Sequence, residues 1–192
     1  MNRKPKGLRI LGVDPGLAKT GYGIIDSVSS RLVYVTHGVI STPPEMETGR
    51  RLQCIYERLA ALIAEYAPAE ASLENLYFAK NITSAMPVAQ ARGVAFLLFS
   101  QQSLPARDYP PPVIKRAIVG HGRAEKAQVQ EMVRLLLGLP EIPSPDHAAD
   151  ALAAAICHAH SRRVMQVING EQRKITEKRF SRRHKVTENT AE

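Results

Sequence analysis

Four positions place a carboxylate or an imidazole where building a hydrophobic core would not. Asp14 ends the apolar run LRILGVD (8–14) just before Pro15-Gly16. Glu74 interrupts Leu73-Glu74-Asn75-Leu76. His147 and Asp150 stand three apart at the start of a small, apolar segment, so on a helix they share one face. Each has a structural explanation of its own. Asp before Pro-Gly starts a turn readily, and Glu74 suits the polar face of an edge strand. Asp146, beside His147, suits the first turn of a helix, where an acid complements the dipole. Brought together, the set is oxygen-rich and resembles what Mg²⁺ or Mn²⁺ takes as ligands. Two such ions about 4 Å apart can activate water and stabilise the leaving oxygen of a phosphodiester.

The charge balance points to the same substrate class. The 192 residues carry 26 Lys/Arg against 18 Asp/Glu, a net charge of +8. Residues 161–192 hold nine Lys/Arg and four Asp/Glu, or +5, leaving +3 for residues 1–160. A basic chain favours a polyanionic partner, nucleic acid first; a solvated tail that aids solubility is the plainer alternative. With 44% hydrophobic and 23% charged residues the composition is that of a globular protein. Cys54 and Cys157 are too few for a disulfide framework and lack metal spacing, so they read as buried thiols in a reducing compartment. GVAFLLFS (93–100) is too short to cross a bilayer. The basic MNRKPKG lacks the apolar region and cleavage site of a secretory signal. The expectation is a cytoplasmic protein with no membrane partner.

Positioning these residues requires an α/β domain. LRILGVD, GYGIID (21–26) and RLVYVTHGVIS (31–41) predict a three-stranded antiparallel meander. Apolar residues from Leu52 to Tyr66 recur at steps of three and four, predicting an amphipathic helix over 48–66. EASLENLYF (70–78) reads as a further strand. Residues 83–101 read as a helix apolar almost all round, with Pro87 near its first turn. A brief strand in 104–112 runs into prolines, and short and long helices follow at 113–119 and 124–138, the latter stopped by Gly138. The last helix spans about 145–161, with Ser144 as N-cap and Pro145 in the first turn. Along it, His158 and His160 do not share a face and read as solvated. The division expected is a domain over 1–161 and a basic, flexible tail over 162–192. Strands followed by alternating helices and strands place a mixed sheet at the centre.

Five segments in order, LRILGVDPGLAKTGYGII, SLENLYFAKNITSA, AQARGVA, VIKRAIVGHGRAEKAQVQ and HAADALAAAICH, closely resemble the RuvC family of bacterial Holliday-junction resolvases. The resemblance covers roughly residues 8–160. It implies a ribonuclease H-like fold with a five-stranded mixed sheet flanked by helices. It also implies a homodimer that resolves four-way DNA junctions by paired, metal-dependent nicks in recombination and repair. The partners it implies are junction DNA and the branch-migration proteins that work with RuvC.

Residue by residue, the resemblance makes Asp14, Glu74, His147 and Asp150 the catalytic set and the ligands of two Mg²⁺ or Mn²⁺ ions per site. Many relatives carry aspartate where His147 stands. That departure leaves open whether His147 binds metal, acts as a base or does both, and whether Asp146 takes its place. Tyr77, beside Phe78, matches an aromatic position that holds unstacked bases at the junction; by alternation only one of the two points each way. Lys80 of the same segment is placed with them at the DNA. Lys115 and Lys126 match lysines near substrate phosphates, and with Arg116 and Arg123 they form a phosphate-facing patch. The 83–101 helix is the candidate for the face shared between subunits. Two other readings compete. One is a junction binder without catalysis, which a nicking assay separates. The other is a phosphate-binding module of the actin and sugar-kinase type, which needs two such lobes where this chain has one Asp-Pro-Gly.

Overall fold

The computed structural model describes residues 7–75 and 82–165, with the side chains of 82–84 left aside. The chain divides into two units, Met1–Ala159 and His160–Glu192. In the second, residues 160–165 are described and are helical.

The first unit is built on a five-stranded mixed sheet of order β3-β2-β1-β4-β5. Strands β1 (Leu8–Asp14), β2 (Lys19–Val28) and β3 (Arg31–Ser41) form the expected antiparallel meander. Strand β4 (Glu70–Glu74) adds parallel to β1, and β5 (Ala106–Tyr109) parallel to β4. Five helices accompany the sheet: α1 (Thr48–Tyr66), α2 (Ile82–Gln101), α3 (Pro111–Val119), α4 (Lys126–Leu137) and α5 over 146–165.

Period-two alternation sorts the strand residues between two cores. Leu11 and Val13 of β1 join Ile55 and Leu59 of α1 and Leu98 and Phe99 of α2. Ile10 joins Val129 and Val133 of α4 and Leu152 and Ile156 of α5 on the opposite face. By parity Gly12 and Asp14 look the same way as Ile10, toward α5. On β4, Glu70, Ser72 and Glu74 share that face, whereas Ala71 and Leu73 are buried against α1 and α2.

Several local boundaries differ from the sequence reading. Strand β4 is described over Glu70–Glu74, and its ladder with β5 ends at Glu74↔Tyr109, where Pro110 follows. Asn75 makes the last bond of that ladder, its N–H to the Tyr109 carbonyl; 76–78 lie outside the described residues. Helix α2 starts at Ile82, so Pro87 sits inside it and removes one backbone hydrogen bond there. The Pro145 carbonyl accepts from the N–H groups of Ala148 and Ala149, so Pro145 and not Ser144 takes the cap position of α5. Glu125 caps α4 through a reciprocal box with Gln128, and Gly138 ends it in the left-handed conformation at φ 63°. Cys157 is buried as expected, but Cys54 is only half-buried. His158, expected in solvent, is 3% exposed.

Candidate active site

What seats α5 on the sheet is a row of glycines. A Cβ on Gly12 would lie 2.0 Å from the Ala151 carbonyl oxygen, and one on Gly21 would lie 1.9 Å from that of His147. A Cβ on Gly23 would meet the Leu152 side chain at 2.7 Å. No other residue type fits beneath the helix at these points. The helix answers with Ala148, Ala149, Ala151, Ala153, Ala154 and Ala155, all buried. Gly21 is the register partner of Asp14, so the glycine that admits the helix also sets His147 over the carboxylate.

Four expected residues converge at this end of the sheet. Val13↔Leu73 is the last pair of the parallel β1–β4 ladder, and one further residue on each strand brings Asp14 beside Glu74. His147 Nδ1 lies 2.6 Å from Asp14 Oδ2. A carboxylate only accepts, so Nδ1–H donates and the ring's lone pair remains at Nε2. Asp150 and Glu74 line one cavity of about 170 Å³ together with Pro111, Ile114, Lys115, Lys126, Val129 and Ala153. Lys126, at the start of α4, reaches Asp146 Oδ2 at 2.9 Å and Asp150 Oδ2 at 3.3 Å. Asp146 accepts a second bond from Gln130 at 3.0 Å and points to α4.

The electrostatics follow from crowding acids in a buried place. Burial pushes the Glu74 carboxyl up from 4.5 to about 8, and the charges of Asp14 and Asp150 add to this while Lys126 and Lys115 oppose it. Burial also raises Asp14, though the hydrogen bond and charge of His147 pull it back. Burial tends to lower Lys126, but Asp146 and Asp150 outweigh it and hold the ammonium above its ordinary value. The same lysine and Gln130 hold Asp146 below the usual carboxylate range.

This donor set suits a hard divalent cation. It offers three carboxylates, two of which, Asp14 and Asp150, raise the proton affinity of Glu74, and an imidazole oriented by Asp14, as ligating histidines commonly are. A cation placed there would reverse the sign of the local field and favour ionised Glu74. Among the described residues no three His, Cys, Asp or Glu side chains are gathered into a metal-binding cluster. Asp14 is instead engaged by His147, and Asp150 by Lys126.

Of the other expected residues, Lys115 on α3 and Lys126 on α4 reach the cavity. Arg116 and Arg123 are exposed on the same α3–α4 segment. Tyr77, Phe78 and Lys80 lie outside the described residues. Sequence reasoning missed the glycine seat, although Gly12, Gly21 and Gly23 alternate along two strands and an alanine-rich helix follows. It also missed Gln130 and the buried His158, whose partners are distant in the chain.

Comparison with known proteins places this arrangement. Residues 10–158 match the family model of the crossover junction endodeoxyribonuclease RuvC. The RuvC of Treponema denticola is 54% identical over 153 residues, covering 79% of this chain and 86% of the relative. That of Syntrophomonas wolfei is 44% identical over 172 residues, covering 90% and 100%. The structure of Thermus thermophilus RuvC in complex with Holliday junction substrate superposes with a TM-score of 0.78 at 31% identity, over 82% of this chain and 96% of that one. The five-stranded mixed sheet with its flanking helices is thus the ribonuclease H-like fold that the sequence implied. With the family's description spanning both cores and every described acidic residue of the site, the chain belongs to the RuvC crossover junction endodeoxyribonuclease family.

Proposed function

We propose that this protein resolves four-way Holliday junctions by paired, symmetric nicks during recombination and DNA repair. One observation carries the reading. Asp14, Glu74, Asp150 and His147 converge at the strand ends beside a cavity edged by Lys115 and Lys126.

The two lysines bind and orient the phosphate next to the scissile bond. Asp14 holds His147 Nδ1–H and keeps the ring oriented, so that Nε2 presents its lone pair to a cation. Asp14, Glu74 and Asp150, with His147 as a fourth donor, would hold two Mg²⁺ or Mn²⁺ ions, which when bound would supply an activated water and stabilise the departing oxygen. Asp146 does not replace His147 in this reading, because it is committed to Lys126 and Gln130. Arg116 and Arg123 extend the phosphate contacts, and Tyr77 or Phe78, with Lys80, meets the opened bases at the crossover.

The active unit is a homodimer, because one chain carries one site and resolution needs two matched cuts. Helix α2 supplies the shared face: Met86 and Leu97 are 61% and 56% exposed on it. The domain runs through residue 161, and the basic tail over 162–192 tethers the protein to DNA electrostatically. Branch-migration proteins supply the substrate. The protein works in the cytoplasm; no helix among the described residues is long and apolar enough to cross a membrane.

Asp14→Asn tests the assignment on a synthetic four-way junction. Nicking should fall at least about 100-fold, with junction affinity nearly unchanged because Lys and Arg supply it. Near-native nicking by this variant would refute the site.

A further inference from the structure

Below the cavity, the core on the α5 face holds a polar chain that the proposed chemistry does not use. Tyr109 Oη lies 2.8 Å from His158 Nδ1, and His158 Nε2 lies 2.7 Å from Glu70 Oε2. His158 is 3% exposed and Tyr109 9%. His158 Nε2–H donates to the Glu70 carboxylate, and Nδ1 accepts from the Tyr109 hydroxyl. The three groups join β4, β5 and α5.

Their spacing relates them to the site. Glu70 lies four residues before Glu74, about 13 Å along β4. His158 lies eight residues after Asp150, about 12 Å along α5. The strand runs toward the site and the helix runs away from it, so the same pair of elements meets at two levels. Glu74 and Asp150 share the upper level; Glu70 and His158 are bonded at the lower. Tyr109 spans both. Its carbonyl accepts the Asn75 N–H at 2.8 Å, one residue past its register partner Glu74, while its hydroxyl reaches His158.

A directional tie adds to the packing of Leu152 and Ile156, because near the site the contact between α5 and the sheet is small against small. Ala151 and Ala155 lie over Gly12 and the His147 backbone over Gly21, and such a surface offers few knobs to stop a helix from sliding along its axis. Buried polar pairs can fix register where apolar packing does not.

We infer that Tyr109, His158 and Glu70 are positioning residues that set the axial register of α5 against β4, and through it the separation of Asp150 from Glu74 and Asp14. The inference rests on the active-site assignment above. Loss of register by a fraction of a helical rise alters the reaction more than the binding, since the phosphate contacts of Lys115 and Arg116 lie on α3.

The test uses the full chain with Tyr109→Phe, Glu70→Gln, the double variant, and Ile156→Val as a core truncation on the same helix. For each, single-turnover nicking at saturating enzyme, junction Kd and melting temperature are measured. Tyr109→Phe and Glu70→Gln should slow nicking about 10- to 100-fold with junction Kd within about twofold of wild type. The double variant should lose little more than the worse single one, because the residues act as a unit. Ile156→Val should melt lower yet nick at the wild-type rate. Wild-type nicking by Tyr109→Phe and Glu70→Gln, or losses no greater than those of Ile156→Val at equal melting temperature, would overturn the inference. So would a parallel loss of junction affinity. Asp14→Asn separates the two readings. If it nicks normally, the active-site assignment fails; if it is inactive while Tyr109→Phe is fully active, the positioning role alone fails.

Discussion

Replacing Glu74 by Gln should make the metal-free protein more stable, and increasingly so as pH rises. Glu74 is held up at about 8 by burial and by Asp14 and Asp150, against 4.5 ordinarily. Between those values the native state keeps a proton that the unfolded chain has released. Stability is therefore fully present below about pH 4.5 and falls as pH rises toward 8. The slope is about 1.4 kcal/mol per pH unit, giving at most about 5 kcal/mol. Solvent at the cavity mouth reduces this, so between about 2 and 5 kcal/mol is expected above pH 8. Against a typical total of about 5–15 kcal/mol that is a large fraction. Glutamine keeps the shape and hydrogen-bonding capacity but carries no charge, so its curve lacks this descent. The assay is denaturant unfolding of both proteins in chelator from pH 4.5 to 8.5, followed by circular dichroism. The two should coincide near pH 4.5 and diverge steadily above it. Adding Mg²⁺ or Mn²⁺ should then stabilise wild type more than Glu74→Gln and close the gap, while the variant stays inactive in nicking. Parallel unfolding curves across the whole range would refute the reasoning, because every other titrating group is common to both.

Gly21→Ala should cost about 1–3 kcal/mol and lower nicking, because its Cβ would lie 1.9 Å from the His147 carbonyl oxygen and must displace α5. Gly93→Ala, with nothing within 4 Å, should instead be neutral or stabilising by up to about 1 kcal/mol in thermal melts. Wild-type nicking should be faster in Mn²⁺ than in equimolar Mg²⁺, since imidazole is a softer ligand than carboxylate. His147→Asp should narrow that difference, and an unchanged metal ratio would count against His147 as a ligand. Deleting 162–192 should flatten the salt dependence of junction affinity without moving the cut site; an unchanged slope would exclude the tail from the DNA contact.

Sequence by itself determined the elements and singled out the candidate reacting groups, because both signals are local. The apolar run LRILGVD reports a buried strand and the steps of three and four from Leu52 to Tyr66 report the buried side of a helix, and β1 and α1 follow them. Asp14, Glu74, His147 and Asp150 stood out because each breaks such a pattern. Tertiary structure alone decided how these residues meet, because their neighbours are far apart in the chain. His147 lies 133 residues from the aspartate it bonds, and its seat on Gly21 is a contact between a strand and the last helix. The same distance explains the corrections. The β4–β5 ladder ends at Glu74↔Tyr109 because Pro110 follows in the partner strand, far from Glu74 in the chain. His158 looked solvated near the end of its helix, yet Tyr109 and Glu70, 49 and 88 residues away, supply the partners that let an imidazole be buried. Whether Glu74 is charged is likewise set by burial and by the fields of Asp14 and Asp150, which exist only once the sheet has brought the acids together.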